Sequence, residues 1–342
     1  MRESREAAAG EARVEQPVPS DIETQRIANM ALWTIKDIPD QSGKLAIITG
    51  ATGGLGLETA IALAGAGAEV IVAGRNPAKG RTAEALIRDR HGNAKVRFET
   101  IDLASLASVA AFAERMLAAN RPIDILVNNA GVMALAKRGT TADGFEMQFG
   151  TNYLSHFALT GRLLPLLAAA KARVVQLSST MHRGGAIRLD DLNYAQGYKA
   201  WPVYSQSKLA MLMFALELDR RSNAMGWGLT SVAAHPGVAA TELATNGPNV
   251  GANRFMAWAT STAARMLGHS ASDGALPQLM AATMPGVKGG QYFGPQGWME
   301  YKGPPGPGKI APQALDREVA AELWAASETL TGVSFGLVHS GR

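Results

Sequence analysis

Leu45-Ala46-Ile47-Ile48-Thr49-Gly50-Ala51-Thr52-Gly53-Gly54-Leu55-Gly56 is an apolar run that stops on glycines, and a helical pattern starts where the glycines end. The run Leu45 to Thr49 reads as a short strand buried on both faces, as strands of a parallel sheet are. Glycines allow a tight turn and a close approach of backbone N–H groups to a pyrophosphate. The helix that follows adds free N–H groups and a partial positive charge. A glycine string alone is a weak signal, but the strand before it and the helix after it supply the context the motif needs. The stretch predicts a dinucleotide-phosphate cradle made by Gly50, Thr52, Gly53, Gly54, Leu55 and Gly56.

The same alternation continues outward. Residues 69–73, 96–100, 123–127, 173–177 and 229–233 read as further strands, with helical patterns through 66 and over 77–90, 104–119, 143–170 and 203–222. Parallel strands need crossover helices, so this order predicts one doubly wound parallel α/β sheet of the Rossmann type, in a single domain, with helices on both faces. Two more helices are expected over 255–284, an edge strand at 290–293 and a terminal helix over 317–330. GPPGPG (303–308) reads as a turn-rich loop. Residues 1–41 form an N-terminal extension in which Ser20 and Glu23 fit a capping box opening a short helix. The domain is expected over 42–335, including a lid at about 238–285, and 336–342 is a tail.

Composition narrows the function. The chain has 342 residues, 47% hydrophobic and 18% charged, enough for a sizeable core. Cys is absent, which excludes disulfides, zinc–thiolate and iron–sulfur sites and a cysteine nucleophile. The six His show no ligand spacing, so no metal is expected. The net charge is +4, with Lys and Arg scattered rather than massed, and no nucleic-acid partner is expected. No apolar h-region and no long apolar run appear, so the sequence predicts no transmembrane segment and a cytoplasmic protein.

Polar residues gather where the strands stop. Asp102-Leu103 follows the third strand, Asn128-Asn129-Ala130-Gly131 the fourth and Ser178-Ser179 the fifth. That edge is where doubly wound sheets bind ligands. After the second strand come Arg75 and Asn76, with Lys79 nearby, where an NAD site places an acid for the ribose 2′-hydroxyl. A guanidinium there can fork onto a 2′-phosphate, which predicts NADPH over NAD. Tyr204 and Lys208 stand one helical turn apart and share a face. An ammonium beside a phenol, together with a positive nicotinamide, would lower the phenol's pKa from its usual value of about 10 and suit it to proton transfer at a carbinol oxygen.

Together these motifs resemble the short-chain dehydrogenase/reductase family, over about residues 42–335. The resemblance implies a catalytic tetrad of Asn152, Ser179, Tyr204 and Lys208. Tyr204 would be the general acid/base, and Ser179 would hold the substrate oxygen. Lys208 would bind the nicotinamide ribose, and Asn152 would hold a water linking Lys208 to solvent. The choice of Ser179 over Ser178 rests on that resemblance. It also implies transfer of the pro-S hydride, cofactor contacts from Asn129, Ala130, Gly131, Pro236, Gly237 and Thr241, adenine contacts from Asp102 and Leu103, and a homo-oligomer through the long helices. Ser179 and Tyr204 stand 25 positions apart, more than in plain members. That insertion and YSQSKLAMLMF resemble the retinol dehydrogenase-like branch, which acts on lipophilic aldehydes, ketones and alcohols. Trp201, Met256, Trp258 and Met266 are candidates for an apolar substrate wall. Two alternatives stand beside this reading: an extended-type epimerase or dehydratase, whose glycine spacing Gly50, Gly53 and Gly56 also satisfy, and a non-catalytic NADPH sensor.

Overall fold

In this computed structural model the described residues are 33–238 and 270–336. The sheet has eight strands in the order β3-β2-β1-β4-β5-β6-β7-β8. They are β1 (Leu45–Thr49), β2 (Glu69–Gly74), β3 (Val96–Thr100), β4 (Ile125–Asn128), β5 (Arg173–Leu177), β6 (Thr230–Ala234), β7 (Tyr292–Pro295) and β8 (Pro305–Pro307). The helices are α1 (Gly54–Gly65), α2 (Pro77–Arg90), α3 (Leu106–Ala119), α4 (Ser155–Ala170), α5 (Ala200–Met225), α6 (Ala271–Thr283) and α7 (Arg317–Thr331). The chain winds outward from β1 to β3, then crosses back to pair β4 with β1. That reversal opens a crevice at the carboxyl ends of β1 and β4, the usual ligand site of such sheets.

Successive side chains of a strand point to opposite faces, and the core divides accordingly. Leu45, Ile47, Ile71 and Ala73 pack into one apolar cluster with α3, α4, α5 and α7. Ala46, Ile48, Val70 and Val72 pack into the other, with α1, α2 and α6. Local chemistry sets the helix ends. The side chains of Asn76, Ser105, Ser270 and Asp316 accept N–H groups at the starts of α2, α3, α6 and α7.

Three expectations need correcting. The strand at 290–293 is not an edge: β7 runs parallel beside β6 and is covered by β8. The edge is β8, drawn from the GPPGPG stretch and paired antiparallel to β7, a place where prolines without N–H groups are tolerated. The helix expected over 143–170 starts at Met147 and carries a π-turn at Gly150–Leu154 before running on as α4. Of the two helices expected over 255–284, the described residues hold α6. Thr241, Met256, Trp258, Met266 and the capping box at Ser20 lie outside the described residues.

The helix α7 packs across α4 and α5. Trp324 lies 5.0 Å from Phe157 and 5.8 Å from Phe214, ring centre to ring centre, and Phe335 lies 4.9 Å from Phe157.

Candidate active site

At the carboxyl edge of β1 and β4 lies a cleft of about 570 Å³. It is lined by Gly50, Thr52, Gly53, Gly54, Leu55 and Gly56 on one side, and by Asn129, Ala130 and Gly131 on the other. Arg75, Asn76 and Lys79 stand exposed at its rim. The glycines are needed sterically. Gly50 has φ +67°, and a Cβ there would lie 2.9 Å from Ala130. A Cβ at Gly56 would lie 2.6 Å from the Asn129 side chain. The cleft is therefore walled by backbone, with the α1 N-terminus opening into it, which fits a pyrophosphate. Asn76 spends its side-chain oxygen on the α2 N-terminus, accepting from Ala78 and Lys79 at 2.9 and 3.1 Å.

Asp102 and Leu103 are not among the residues lining the cleft. The Asp102 carboxylate accepts from the Ala104 amide at 3.0 Å, and Leu103 is buried in the core. Pro236 and Gly237 are half-buried after β6.

Ser179, Tyr204 and Lys208 come together beside this cleft. The Ser179 hydroxyl accepts from the Met181 amide at 3.2 Å and is the side chain near the Tyr204 phenol that favours its ionised form. Ser178 is turned the other way, donating at 2.7 Å to the Lys208 carbonyl. Geometry thus separates the two serines. Lys208 Nζ donates to the Leu177 carbonyl at 2.9 Å and lies 5.8 Å from the Tyr204 ring centre. Burial pushes the phenol up to about 12, against the influence of Ser179, and pushes the ammonium down to about 8. The expected lowering of the Tyr204 pKa is absent in the protein alone, because desolvation dominates in so buried a site. Trp201, half exposed, meets Tyr204 edge to face at 6.1 Å.

Asn152 is fully buried in the π-turn. Its side chain brackets Val132, accepting from the amide at 2.7 Å and donating to the carbonyl at 2.9 Å, and also donates to Ser207 Oγ. Its backbone carbonyl takes the Nδ1–H of His156 at 2.8 Å. The other ring nitrogen of His156 faces Thr49 Oγ1 at 2.9 Å. That hydroxyl already accepts from the amides of Asn129 and Ala130, so its own proton goes to His156 Nε2. Burial depresses His156 to about 4, keeping it neutral. His156 thus bridges β1 and the π-turn from within the core. No spacing rule connects it to Thr49, which lies 107 positions away.

Among the described residues no group of three or more His, Asp or Glu is placed to hold a metal ion. Nor is any helix long and apolar enough to cross a membrane.

Residues 44–249 match the short chain dehydrogenase family. The chain belongs to that family. Its members are oxidoreductases that work on alcohol or carbonyl groups with a nicotinamide cofactor. The chain is 40% identical over 310 residues to a polyprenol dehydrogenase of Mus musculus, covering 87% of each chain. It is 40% identical over 295 residues to retinol dehydrogenase 13 of Homo sapiens, covering 85% of each. A crystal structure of a putative uncharacterized protein from Mycobacterium Paratuberculosis superposes with a TM-score of 0.71 at 39% identity, covering 89% of this chain and 99% of that one.

Proposed function

We propose that this short-chain dehydrogenase interconverts a carbonyl and an alcohol on a lipophilic small molecule with NADP(H), Tyr204 acting as general acid/base. The observation that carries the reading is the meeting of Ser179, Tyr204 and Lys208 beside a glycine-walled cleft. Arg75 at the rim, with no carboxylate beside it, supports a 2′-phosphate and hence NADPH. The names of the polyprenol and retinol dehydrogenases support an apolar substrate, as does the exposed indole of Trp201 against Tyr204.

When bound, the nicotinamide supplies or accepts the hydride at C4. The chain supplies the rest. Ser179 holds the reacting oxygen by its hydroxyl. Tyr204, neutral at physiological pH because burial favours the phenol, gives its proton to that oxygen in the reductive direction. In the oxidative direction it must first ionise, and the Lys208 ammonium is the nearby charge that favours this. Gly50 to Gly56 with Asn129 to Gly131 would hold the dinucleotide, and Asn152 fixes Val132 beside it. The reading includes the homo-oligomer through the long helices that the family resemblance implies.

The test is consumption of reduced nicotinamide with a panel of aliphatic and isoprenoid aldehydes and ketones, with NADPH and NADH in parallel. Turnover preferring NADPH and longer chains is expected. Tight NADPH binding with no turnover on any carbonyl would favour the sensor reading instead.

A further inference from the structure

Glu300 is 6% exposed, and both it and Met299 hold left-handed backbone, with φ 58° and 51°, though neither is glycine. Strain of this kind persists only where the surroundings over-determine it. Here they do. Glu300 Oε2 accepts from Arg183 Nη2 at 2.5 Å and from His235 Nε2 at 3.0 Å, while Oε1 accepts from the Lys309 amide at 3.1 Å. The imidazole of His235 is fully buried, and its Nδ1 accepts the Gly237 N–H at 3.2 Å. The proton therefore sits on Nε2. Gly294 of β7 makes the slot for this ring, since any Cβ there would run into it.

Both ends of the network reach segments at the carboxyl edge of the sheet, one after β6 and one after β5. At one end, Gly237 lies at φ +69° against the Tyr301 carbonyl, which also accepts the Val238 N–H at 2.9 Å. At the other, Arg183 belongs to the 3₁₀ turn Thr180–Gly184 that starts at Ser179, and His182 of that turn donates to the Ser179 carbonyl at 2.6 Å.

From these contacts we infer that Glu300 and His235 form a positioning dyad, which locks the Pro236–Gly237 segment to the Ser179 segment and thereby sets cofactor affinity. The inference rests on the reading of Pro236 and Gly237 as cofactor-lining residues. The dyad works only while Nδ1 is bare. A second proton on His235 would turn that acceptor into a donor facing the Gly237 N–H. The groups facing the imidazole are Glu300, which favours the added proton, Arg183 and His182, which oppose it, and the Tyr292 ring, tilted by 38° with its centre 5.1 Å away. Burial opposes it most, so release falls on the acid side of the ordinary histidine range. Cofactor affinity should therefore weaken as pH drops below the ordinary histidine range.

The experiment is calorimetric titration of NADPH, and of NADH, whose ribose carries no titrating phosphate, into the full chain from pH 5 to 8. Wild type, Glu300→Gln, His235→Phe and His235→Asn are compared, with circular dichroism as a check on folding. Glu300→Gln and His235→Phe should bind about tenfold more weakly at pH 7.5. His235→Asn keeps an acceptor near the position of Nδ1. It should recover affinity to within about threefold and lose the acid limb that wild type shows with both nucleotides. Unchanged affinity in Glu300→Gln and His235→Phe would overturn the dyad, and so would an acid limb that persists in His235→Asn. A wild type that binds neither nucleotide would instead overturn the cofactor reading, and the dyad with it.

Discussion

The Lys208 ammonium lies 5.8 Å from the centre of the Tyr204 ring and is anchored at 2.9 Å to the Leu177 carbonyl at the end of β5. Burial acts on the two groups in opposite directions, and so does pH on stability. Lys208 is lowered to about 8, so between about pH 8 and 10 the folded protein holds fewer protons there than the unfolded chain. Stability rises with pH across that window. Tyr204 is raised to about 12, so between about pH 10 and 12 the folded protein holds its proton longer and stability falls. Thermal unfolding of the cofactor-free protein should gain from Lys208 between pH 8 and about 10, and Lys208→Met should remove that gain. A slope unchanged in the variant would assign it to another group.

Gly50→Ala should abolish cofactor binding. The residue has a left-handed φ and an Ala130 wall 2.9 Å from any Cβ, so the loop must shift. The strain costs about 1–3 kcal/mol of stability, visible as a lower midpoint in urea. Retained binding with unchanged stability would mean that the backbone wall of the cleft is drawn wrongly.

Much of this site is legible in sequence because its signals are local. The glycines of β1–α1, Arg75 after β2, and Tyr204 with Lys208 one turn apart each carry meaning within a few residues. What sequence reading misses is set by distance. Glu300 meets His235 across 65 positions and His156 meets Thr49 across 107, so neither pair has a spacing to read. The separation of Ser178 from Ser179 depends on which way each hydroxyl turns after β5. The edge strand β8 is hidden by its composition, since Pro305, Gly306 and Pro307 have poor strand propensity and pair only because β7 offers a free edge.

Arg75→Ala should weaken NADPH about tenfold, the scale of one charge-assisted hydrogen bond partly screened by solvent. NADH binding should change little. Titrating both nucleotides separates the cases, and equal losses would remove Arg75 from the 2′-phosphate.

His156→Leu takes the Nε2 acceptor from the Thr49 hydroxyl, which keeps only a 3.4 Å contact to the Val127 carbonyl, and the Nδ1–H donor from the Asn152 carbonyl, in a fully buried site. A loss of about 1–3 kcal/mol per group is expected on denaturant unfolding. His156→Gln, which can reach one of the two partners, should recover part of it. Equal stability in all three proteins would show that the imidazole bridge contributes nothing.

The central claim is that the Tyr204 phenol moves the proton. Tyr204→Phe removes one oxygen and keeps the ring against Trp201. The decisive measurement is single-turnover oxidation of bound NADPH by an accepted carbonyl, with NADPH affinity measured on the same preparation. The account predicts unchanged affinity and a rate lower by about 10²–10⁴-fold. A rate within about twofold of wild type would contradict it.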